Sequence, residues 1–389
     1  MPVAGPAAPA ARIPSAIRLA LFYTAFFAVV GVHLPFWPVW LASRGIGATE
    51  IGVILAATVS VKVVSAPMMA HVADRWGERR RLMIAFAAGA LAGFALFSVA
   101  GGFWSILAIS VLFSVFWSAI MPLGESLTML TVRARGLDYG RVRLWGSLGF
   151  IGAAVGAGRI LAGRPEDIVF WIILDGISLT RAACAGLPDT RTAPAAPVGL
   201  PIGLVLRNRP FVLFLATVAL IQGSHSVYYA FGTLHWRAVG YSDDVIGWLW
   251  AEGVIAEIIL FAFGGALVRR LGPANLIILG GLAGIVRWWA TGLSDALPVL
   301  VAVQALHAFT FGAAHLGAIY FIARTVPPAL SATAQSLYSA AVMGLGLGLA
   351  ILASGRLYAA FGGAAYFAMA ALGALGSVLA VILARRLKA

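Results

Sequence analysis

Two glutamates lie close together in a stretch of sequence that is otherwise apolar. Residues 251–265 read AEGVIAEIILFAFGG, and the carboxylates belong to Glu252 and Glu257. Burying an ionised carboxylate in a low-dielectric medium is costly, so a carboxyl group kept there is suited to losing and regaining a proton. At 100° per residue the two side chains point about 140° apart on a helix and meet different surroundings. A permanent ion pair that fixes helix packing is the alternative for either one.

Composition places these glutamates in a membrane. The chain has 389 residues, of which 61% are hydrophobic and 11% charged, and its mean hydropathy is +0.97. Soluble domains carry about 25% charged residues. Apolar runs near the ~20 residues that cross a bilayer recur along the sequence, so we predict an all-α polytopic membrane protein. The first run, 17–42, is too long for a cleaved signal and is expected to be the first span.

Twelve spans follow from the spacing of the apolar runs. Basic residues collect in alternate gaps between the runs, and the other gaps are mostly acidic. Because basic loops stay on the cytoplasmic side, both termini are expected to be cytoplasmic, with the protein in the cytoplasmic (inner) membrane. The predicted spans are 16–42, 48–72, 81–101, 103–132, 141–163, 168–187, 209–237, 243–268, 274–293, 296–324, 329–361 and 364–385.

The longest polar gap divides the spans into two sets of six. Residues 188–210 are rich in Pro and Ala, so we predict six-helix bundles at 1–187 and 209–389 with a cytoplasmic linker at 188–208. The basic turns HVADRWGERRRLM and GALVRRLGPANLI occupy equivalent places in the two halves, each with a glycine, Gly77 or Gly272. Two helical halves with a site between them are typical of secondary transporters.

Charge placement and missing motifs argue against other classes of function. The net charge is +13, but the basic residues lie in short gaps and not on a soluble module, so no nucleic-acid partner is expected. The single cysteine, Cys184, excludes a disulfide framework and a multi-cysteine metal site. The chain has no HExxH run and no phosphate-binding loop, which disfavours a membrane enzyme and a primary pump. We therefore expect no enzyme activity, no cofactor and no metal.

Polar side chains share helix faces on spans seven and ten. On span seven, His225 and Tyr229 are four residues apart, with Gln222 one turn earlier. On span ten, polar and aromatic residues form one slowly drifting stripe. A single histidine in a helix is usually a packing residue, but two on one stripe favour a lined polar cavity. The stripe comprises Gln304, His307, Phe311 and His315.

The turn after span two carries a family resemblance. The sequence DRWGERR resembles the loop between helices two and three of the major facilitator superfamily, although the usual first glycine corresponds to Ala70 here. The resemblance implies a cytoplasmic gate held by aspartate and arginine; ordinary positive-inside charge is the alternative. The proline-glycine signature of many antiporters is missing from span five, which favours symport. The gate residues would be Asp74, Arg75, Gly77, Arg79 and Arg80.

Longer stretches make the resemblance more specific. They resemble the phenylpropionate permease branch of that superfamily, which is related to the lactose permease-like proton symporters. The stretches are LPFWPVWL (34–41), LDYGRVRLWGSLGF (137–150), GSHSVYYAFGTLHWRAVGYS (223–242), GWLWAEGVIAEIILF (247–261), VRWW (286–289) and LHAFTFGAAHLGAIYFIA (306–323).

The resemblance implies roles for matching positions. Glu125 on span four and Arg143 on span five would form a pair that contacts substrate. Glu257 or Glu252, Arg287 on span nine, and His307 or His315 on span ten would handle the proton. Span ten has no acidic residue beside its histidines, so a glutamate on span eight is the expected proton carrier. Such a carboxyl group, desolvated in one state and paired with Arg287 in the other, can couple proton flow to a conformational switch.

An aromatic carboxylate is the expected substrate. Arg143 and Arg287 can each bind a carboxylate with two hydrogen bonds. Aromatic side chains can supply flat apolar walls; the candidates, with His225 beside them, are Trp145, Tyr228, Tyr229 and Phe311. We therefore predict a monomeric proton symporter for a small acid similar to 3-phenylpropionate, working by alternating access. A neutral sugar or nucleoside, stacking on the same aromatics with Glu125 as hydroxyl acceptor, is the alternative.

Overall fold

The chain folds into helices joined by short turns. The computed structural model describes residues 14–191, 202–327 and 330–387, and within these ranges it contains no β-strand. Side chains are described for all of these residues except 66, 67, 69–71, 73–76 and 332.

The helix bounds agree with the predicted spans to within a few residues in most cases. The first six helices are α1 (Ser15–Ser43), α2 (Ala48–Trp76), α3 (Arg79–Ala95), α4 (Gly102–Arg135), α5 (Tyr139–Leu161) and α6 (Asp167–Gly186). The later ones are α7 (Ile202–Leu206), α8 (Arg209–Gly223), α9 (Ser226–Val239), α10 (Asp243–Ala262), α11 (Gly264–Leu271), α12 (Pro273–Leu293), α13 (Leu297–Ala305), α14 (Ala314–Thr325), α15 (Ser331–Tyr338), α16 (Leu347–Phe361) and α17 (Ala365–Arg386). Two π-helical segments, Ala308–Ala313 and Ser339–Gly346, join α13 to α14 and α15 to α16.

Eleven stretches of the described chain are long and apolar enough to cross a membrane. The last of them, Thr333–Arg386, has 54 residues. A continuous helix of that length would measure about 80 Å, whereas the hydrocarbon core of a bilayer is about 30 Å thick. The turn Gly362–Ala364 breaks this stretch, and the predicted number of twelve is reached when the helices on either side are counted separately.

Glycines and side-chain caps set several helix ends. Gly77, between α2 and α3, and Gly272, between α11 and α12, have φ angles of 69° and 76°. These values lie in the left-handed region that glycine adopts without a steric penalty, which explains a glycine in both basic turns. The Asp138 side chain accepts a hydrogen bond from the Arg141 amide at the start of α5. Asn208 does the same for Phe211 at the start of α8.

Close glycine contacts hold the helices together. Helix α1 packs against α5 and α6, and a Cβ on Gly149 of α5 would lie 2.6 Å from the carbonyl oxygen of Thr24. Helices α2 and α16 approach where Gly52 meets Gly355, and α5 and α10 approach where Gly247 meets the backbone of Ala154. Small residues at such points let backbones touch, as membrane helices require for dispersion contact.

The α2–α16 and α5–α10 contacts join helices that the sequence assigns to different halves. The division into two bundles stays a prediction. Within the predicted linker, residues 192–201 lie outside the described part of the chain, and Ile202–Leu206 forms the short helix α7.

The α1–α5 contact yields a prediction about stability. Gly149→Ala is expected to lower the free energy of unfolding by about 1–3 kcal/mol, because its Cβ cannot fit against the Thr24 carbonyl. Gly152→Ala is the matched control: it lies on the same helix with nothing within 4 Å of its Cβ. The thermal midpoints of both variants in detergent would be compared with that of the wild type. Equal midpoints for the two variants would contradict the close approach.

Candidate functional site

Arg287 of α12 is a buried cation surrounded by neutral partners. Its side chain is 1% exposed. One terminal nitrogen donates to His307 Nδ1 and Thr310 Oγ1, each at 3.0 Å, and the other donates to Gln304 Oε1 at 2.5 Å. Among the described residues no carboxylate lies within 4.0 Å of its guanidinium. The positive charge is therefore hydrogen-bonded but carries no counter-ion.

Aromatic rings enclose the Arg287 guanidinium. The guanidinium carbon lies 4.8 Å from the centre of the Tyr228 ring and 4.4 Å from that of Trp288. Trp250 stacks on Tyr228 at 4.3 Å. Both indole N–H groups bond inside the protein, Trp250 to Thr233 and Trp288 to Ser224. The rings consequently offer apolar faces, and cation–π contact stabilises the charge.

The directions of the hydrogen bonds place a ring proton on each of two histidines. Because an arginine only donates, His307 Nδ1 must accept, and the proton of this ring is on Nε2. His225 Nδ1 lies 3.2 Å from the Gln222 carbonyl oxygen, which only accepts, so Nδ1 carries a proton; in the neutral ring Nε2 then accepts from the Thr310 hydroxyl at 3.0 Å. Thr310 thus receives a hydrogen bond from Arg287 and passes one to His225.

Irregular backbone places these groups. Helix α8 ends at Gly223, and His225 precedes α9, so the seventh predicted span is broken at the histidine. The tenth is broken by the π-helical segment that contains Thr310. His307 stacks on Phe311 at 5.4 Å, and Phe311 stacks on His315 at 5.8 Å. The wider π-turn keeps this stripe in line, and such turns are frequent at functional sites.

Glu257 lies next to the histidine that bonds Arg287. Its Oε2 is 3.7 Å from the protonated Nε2 of His307, beyond hydrogen-bond length. Gly253 faces His307 and Gly312 faces Glu257, so glycines leave room for both side chains. Glu252 is half-buried and makes no ion pair or hydrogen bond with a described residue. The two glutamates therefore have different surroundings, as their angular separation predicts.

A second charged group lies on α4 and α5. Arg143 Nε is 3.5 Å from Glu125 Oε1, and both side chains are 32% exposed. Tyr139 donates to the other Glu125 oxygen at 2.8 Å. The Arg143 guanidinium carbon lies 4.2 Å from the ring centre of Phe27. This arginine already has a counter-ion, in contrast to Arg287.

Some predicted residues lie apart from these two groups. Trp145 is 52% exposed and lines a groove with Ile17, Leu21 and Thr24 of α1, with no ring contact to the other candidates in the described part of the chain. His315 lies at the far end of the histidine stripe, where its Nδ1 is 3.1 Å from the Tyr338 hydroxyl.

The predicted gate turn connects helices on one end of the fold. Arg79 donates to Ser126 Oγ of α4 at 2.8 Å, and Arg80 donates to the Leu187 carbonyl after α6 at 3.1 Å. The side chains of Asp74 and Arg75 lie outside the described residues.

Carboxylates close to this turn bind Arg191. Glu78 Oε1 and Asp189 Oδ2 lie 2.6 Å and 2.9 Å from its guanidinium nitrogens. Hydrogen bonds from Arg191 hold the pKa of the Asp189 carboxyl below its ordinary value. A network of acids and arginines is therefore present at this end of the fold.

Comparison with known proteins identifies the family. Residues 16–369 match the MFS_1 like family. The chain belongs to this family. It is 32% identical over 364 residues to the "Probable 3-phenylpropionic acid transporter" of Escherichia coli (strain K12), covering 90% of this chain and 93% of that one. The transporter is also 29% identical over 379 residues to the maltose permease of Geobacillus stearothermophilus, covering 94% of each.

A solved structure supports the fold. The nucleoside transporter NupG superposes on the transporter with a TM-score of 0.82 at 16% sequence identity, covering 97% of this chain and 100% of that one. The protein is a permease with the major facilitator fold, integral to a membrane, and not an enzyme.

Three residues around Arg287 were missed in the sequence. Thr310 follows His307 by three positions and so shares its helix face, which was a usable signal. Trp288 is adjacent to Arg287, and Trp250 lies in the GWLWAEG stretch. Their partners come from other helices, so the sequence carried no sign that their indole N–H groups would be occupied.

The hydrogen bonds of Thr310 generate a prediction. Thr310→Val keeps the shape but leaves a buried Arg287 N–H and the His225 acceptor unpaired, so the transporter should lose about 2 kcal/mol of unfolding free energy. Thr217→Val is the control, because that buried hydroxyl donates only to a carbonyl of its own helix. Chemical unfolding of both variants in detergent measures the difference. A Thr310 variant as stable as the control would rule out this relay.

Proposed function

We propose that the transporter is a proton-coupled symporter of a small aromatic carboxylate similar to 3-phenylpropionate. The buried Arg287 guanidinium, with neutral partners only, is the observation that carries this proposal. A buried cation without a carboxylate in direct contact is costly, and a substrate carboxylate can supply that contact. The carboxylate would replace His307 or Gln304 as acceptor and form two parallel charge-assisted hydrogen bonds.

The walls of the site favour a flat apolar group. Tyr228, Trp250 and Trp288 present ring faces, and both indole N–H groups are already bonded. A sugar or nucleoside carries several hydroxyls that would need partners here, and burying them unpaired is unfavourable. The name of the 32% identical relative, a probable 3-phenylpropionic acid transporter, agrees with the acid. The maltose permease and NupG keep a sugar or nucleoside as the second candidate.

Charge balance between Arg287 and Glu257 supplies the coupling. With both groups ionised and the site empty, their charges cancel. A bound carboxylate together with a proton on Glu257 cancels them again, whereas substrate alone or a proton alone leaves a net charge. Because a net charge in the membrane interior is costly, the empty and doubly loaded forms reorient most easily. His307, between the two groups, connects carboxylate binding to the Glu257 proton.

Uptake by proteoliposomes tests the proposal. Wild type should accumulate radiolabelled 3-phenylpropionate when an inward proton gradient is imposed. Glu257→Gln should lose accumulation but retain substrate exchange, since exchange needs no net proton movement. Glu252→Gln, on the same helix without an ion pair, is the matched control and should still accumulate. If only the Glu252 variant lost accumulation, Glu252 would be the proton carrier. If folded wild type showed no uptake, the aromatic acid would be ruled out as the substrate.

Alternating access is part of the proposal, with the two predicted halves moving about the site. At the predicted outer end, Arg237 in the last turn of α9 bonds Asp243 at 2.6 Å and Glu166, before α6, at 3.0 Å. Gly158 of α5 touches the Asp243 backbone at the same place. At the other end, the described ion pairs of Glu78 and Arg191 stay within the first 191 residues. This arrangement supports a conformation closed to the outside.

We propose that the protein lies in the inner membrane with both termini in the cytoplasm, and that a single chain is the functional unit. The support is the charge of the gaps: arginines lie at the α2–α3, α4–α5 and α11–α12 turns, and acids at Glu166, Asp167, Asp243 and Asp295.

The contact between Arg237 and Glu166 can be tested by cysteine labelling. Glu166→Gln removes the inter-half pair and should favour the outward-open state about threefold, as expected for a partly exposed ion pair. The readout is labelling of an Ala154→Cys reporter at the α5–α10 contact by a membrane-impermeant maleimide. Asp167→Asn is the control, because Asp167 pairs with Arg44 inside the first half. Equal labelling rates in both backgrounds would show that the pair does not hold the outer side closed.

A further inference from the structure

Lys62 is a cation that the proposed transport cycle does not use. It lies at the middle of α2, about 20 Å from either helix end at 1.5 Å per residue. Its side chain is half-buried and makes no hydrogen bond or ion pair with any residue that the structure describes. An ionisable residue at such a depth marks a functional site by default.

The surroundings of α2 show which way Lys62 faces. The exposed apolar side chains Val64 and Met68 lie on the outer surface of the helix, and at 100° per residue Lys62 points about 160° away from Val64. Ser65, one turn on, shares a 2.6 Å hydrogen bond with Ser118 of α4. Val63 touches Gly344 in the π-segment before α16. Lys62 therefore faces inward, between α4 and the π-segment before α16 that α2 contacts.

The residue type adds an independent argument. Of the 27 lysines and arginines in the chain, only two are lysines, Lys62 and Lys388. Arginine stays charged, whereas a lysine amine can lose its proton in an apolar environment and regain it beside an anion. A lysine at this position can be neutral in the empty site, charged while it holds the carboxylate, and neutral again once the carboxylate has passed to Arg287, so the charge balance of the empty and doubly loaded forms is kept.

We infer that Lys62 is a substrate contact, contributed by the first set of helices, which binds the carboxylate of the transported acid. This inference rests on the proposed function, because it assigns the anion to the acid. Lys62 keeps part of its surface exposed, whereas Arg287 is enclosed by its partners. Lys62 thus binds the carboxylate before it passes to Arg287 and selects acids over neutral analogues.

Kinetics of Lys62 variants test this contact. Lys62→Met should raise the KM for 3-phenylpropionate about tenfold, the loss expected for one charge-assisted hydrogen bond, and Lys62→Arg, which keeps a charged donor for the carboxylate, should keep a KM near the wild-type value. Inhibition by neutral 3-phenylpropionamide should be unchanged in Lys62→Met, a difference that a purely structural role would not produce. Arg181→Met, which removes an exposed cation on α6, is the control and should leave the KM unchanged.

Labelling of wild type gives a second readout that needs no variant. An amine-reactive ester should acylate Lys62 about threefold more slowly when 3-phenylpropionate is present, measured by peptide mass spectrometry, with Lys388 as the internal reference.

Two outcomes overturn the inference alone: equal KM values for wild type and Lys62→Met, or Lys62 acylation unaffected by the acid, in a wild type that transports the acid. A folded wild type that neither binds nor transports it overturns the proposed substrate, and the role of Lys62 with it.

Discussion

A guanidinium buried without a counter-ion is the constraint around which the later helices are arranged. Arg287 is held by an amide, an imidazole and a hydroxyl, all neutral. Each partner lies on the segment from α13 through the π-turn, so one cation connects α12 to the tenth predicted span. Removing such a charge from water is unfavourable, and the enclosing rings and hydrogen bonds only partly compensate for it. The proposed substrate carboxylate would relieve this cost.

The same constraint explains why the helices around the site are irregular. A straight seventh span would continue past Gln222, but the helix breaks, and the Gln222 carbonyl accepts from both the backbone N–H and the Nδ1 of His225. In the tenth span, the π-turn brings Thr310 within 3.0 Å of both Arg287 and His225. Non-helical backbone at membrane depth is tolerated where it is buried in protein or lines a cavity. These breaks therefore mark the functional region independently of its charges.

The cations in the two sets of helices have different partners. Arg143 has a carboxylate partner in Glu125 and remains partly exposed, so it can exchange partners at moderate cost. Arg287 and Lys62 have none among the described residues. Inter-half contact at the predicted outer end rests on Arg237 and on backbone approach at glycines.

The sequence by itself determined the class of protein, the positions of the spans and most of the polar residues around Arg287. Apolar length, charge alternation and helical spacing are local properties, so helical spacing alone was enough to place His307, Phe311 and His315 on one stripe. Only the tertiary structure decided the distances between the charged groups. The resemblance implied different roles for Arg143 and Arg287, and the structure shows that the neighbouring helix brings Glu125 to Arg143 but only neutral groups to Arg287. Likewise, helical spacing predicts different surroundings for Glu257 and Glu252, but only the structure shows that Glu257 is the one that lies beside His307. Ion pairing depends on distances of a few ångströms between separate helices, and helical periodicity carries no information about those distances.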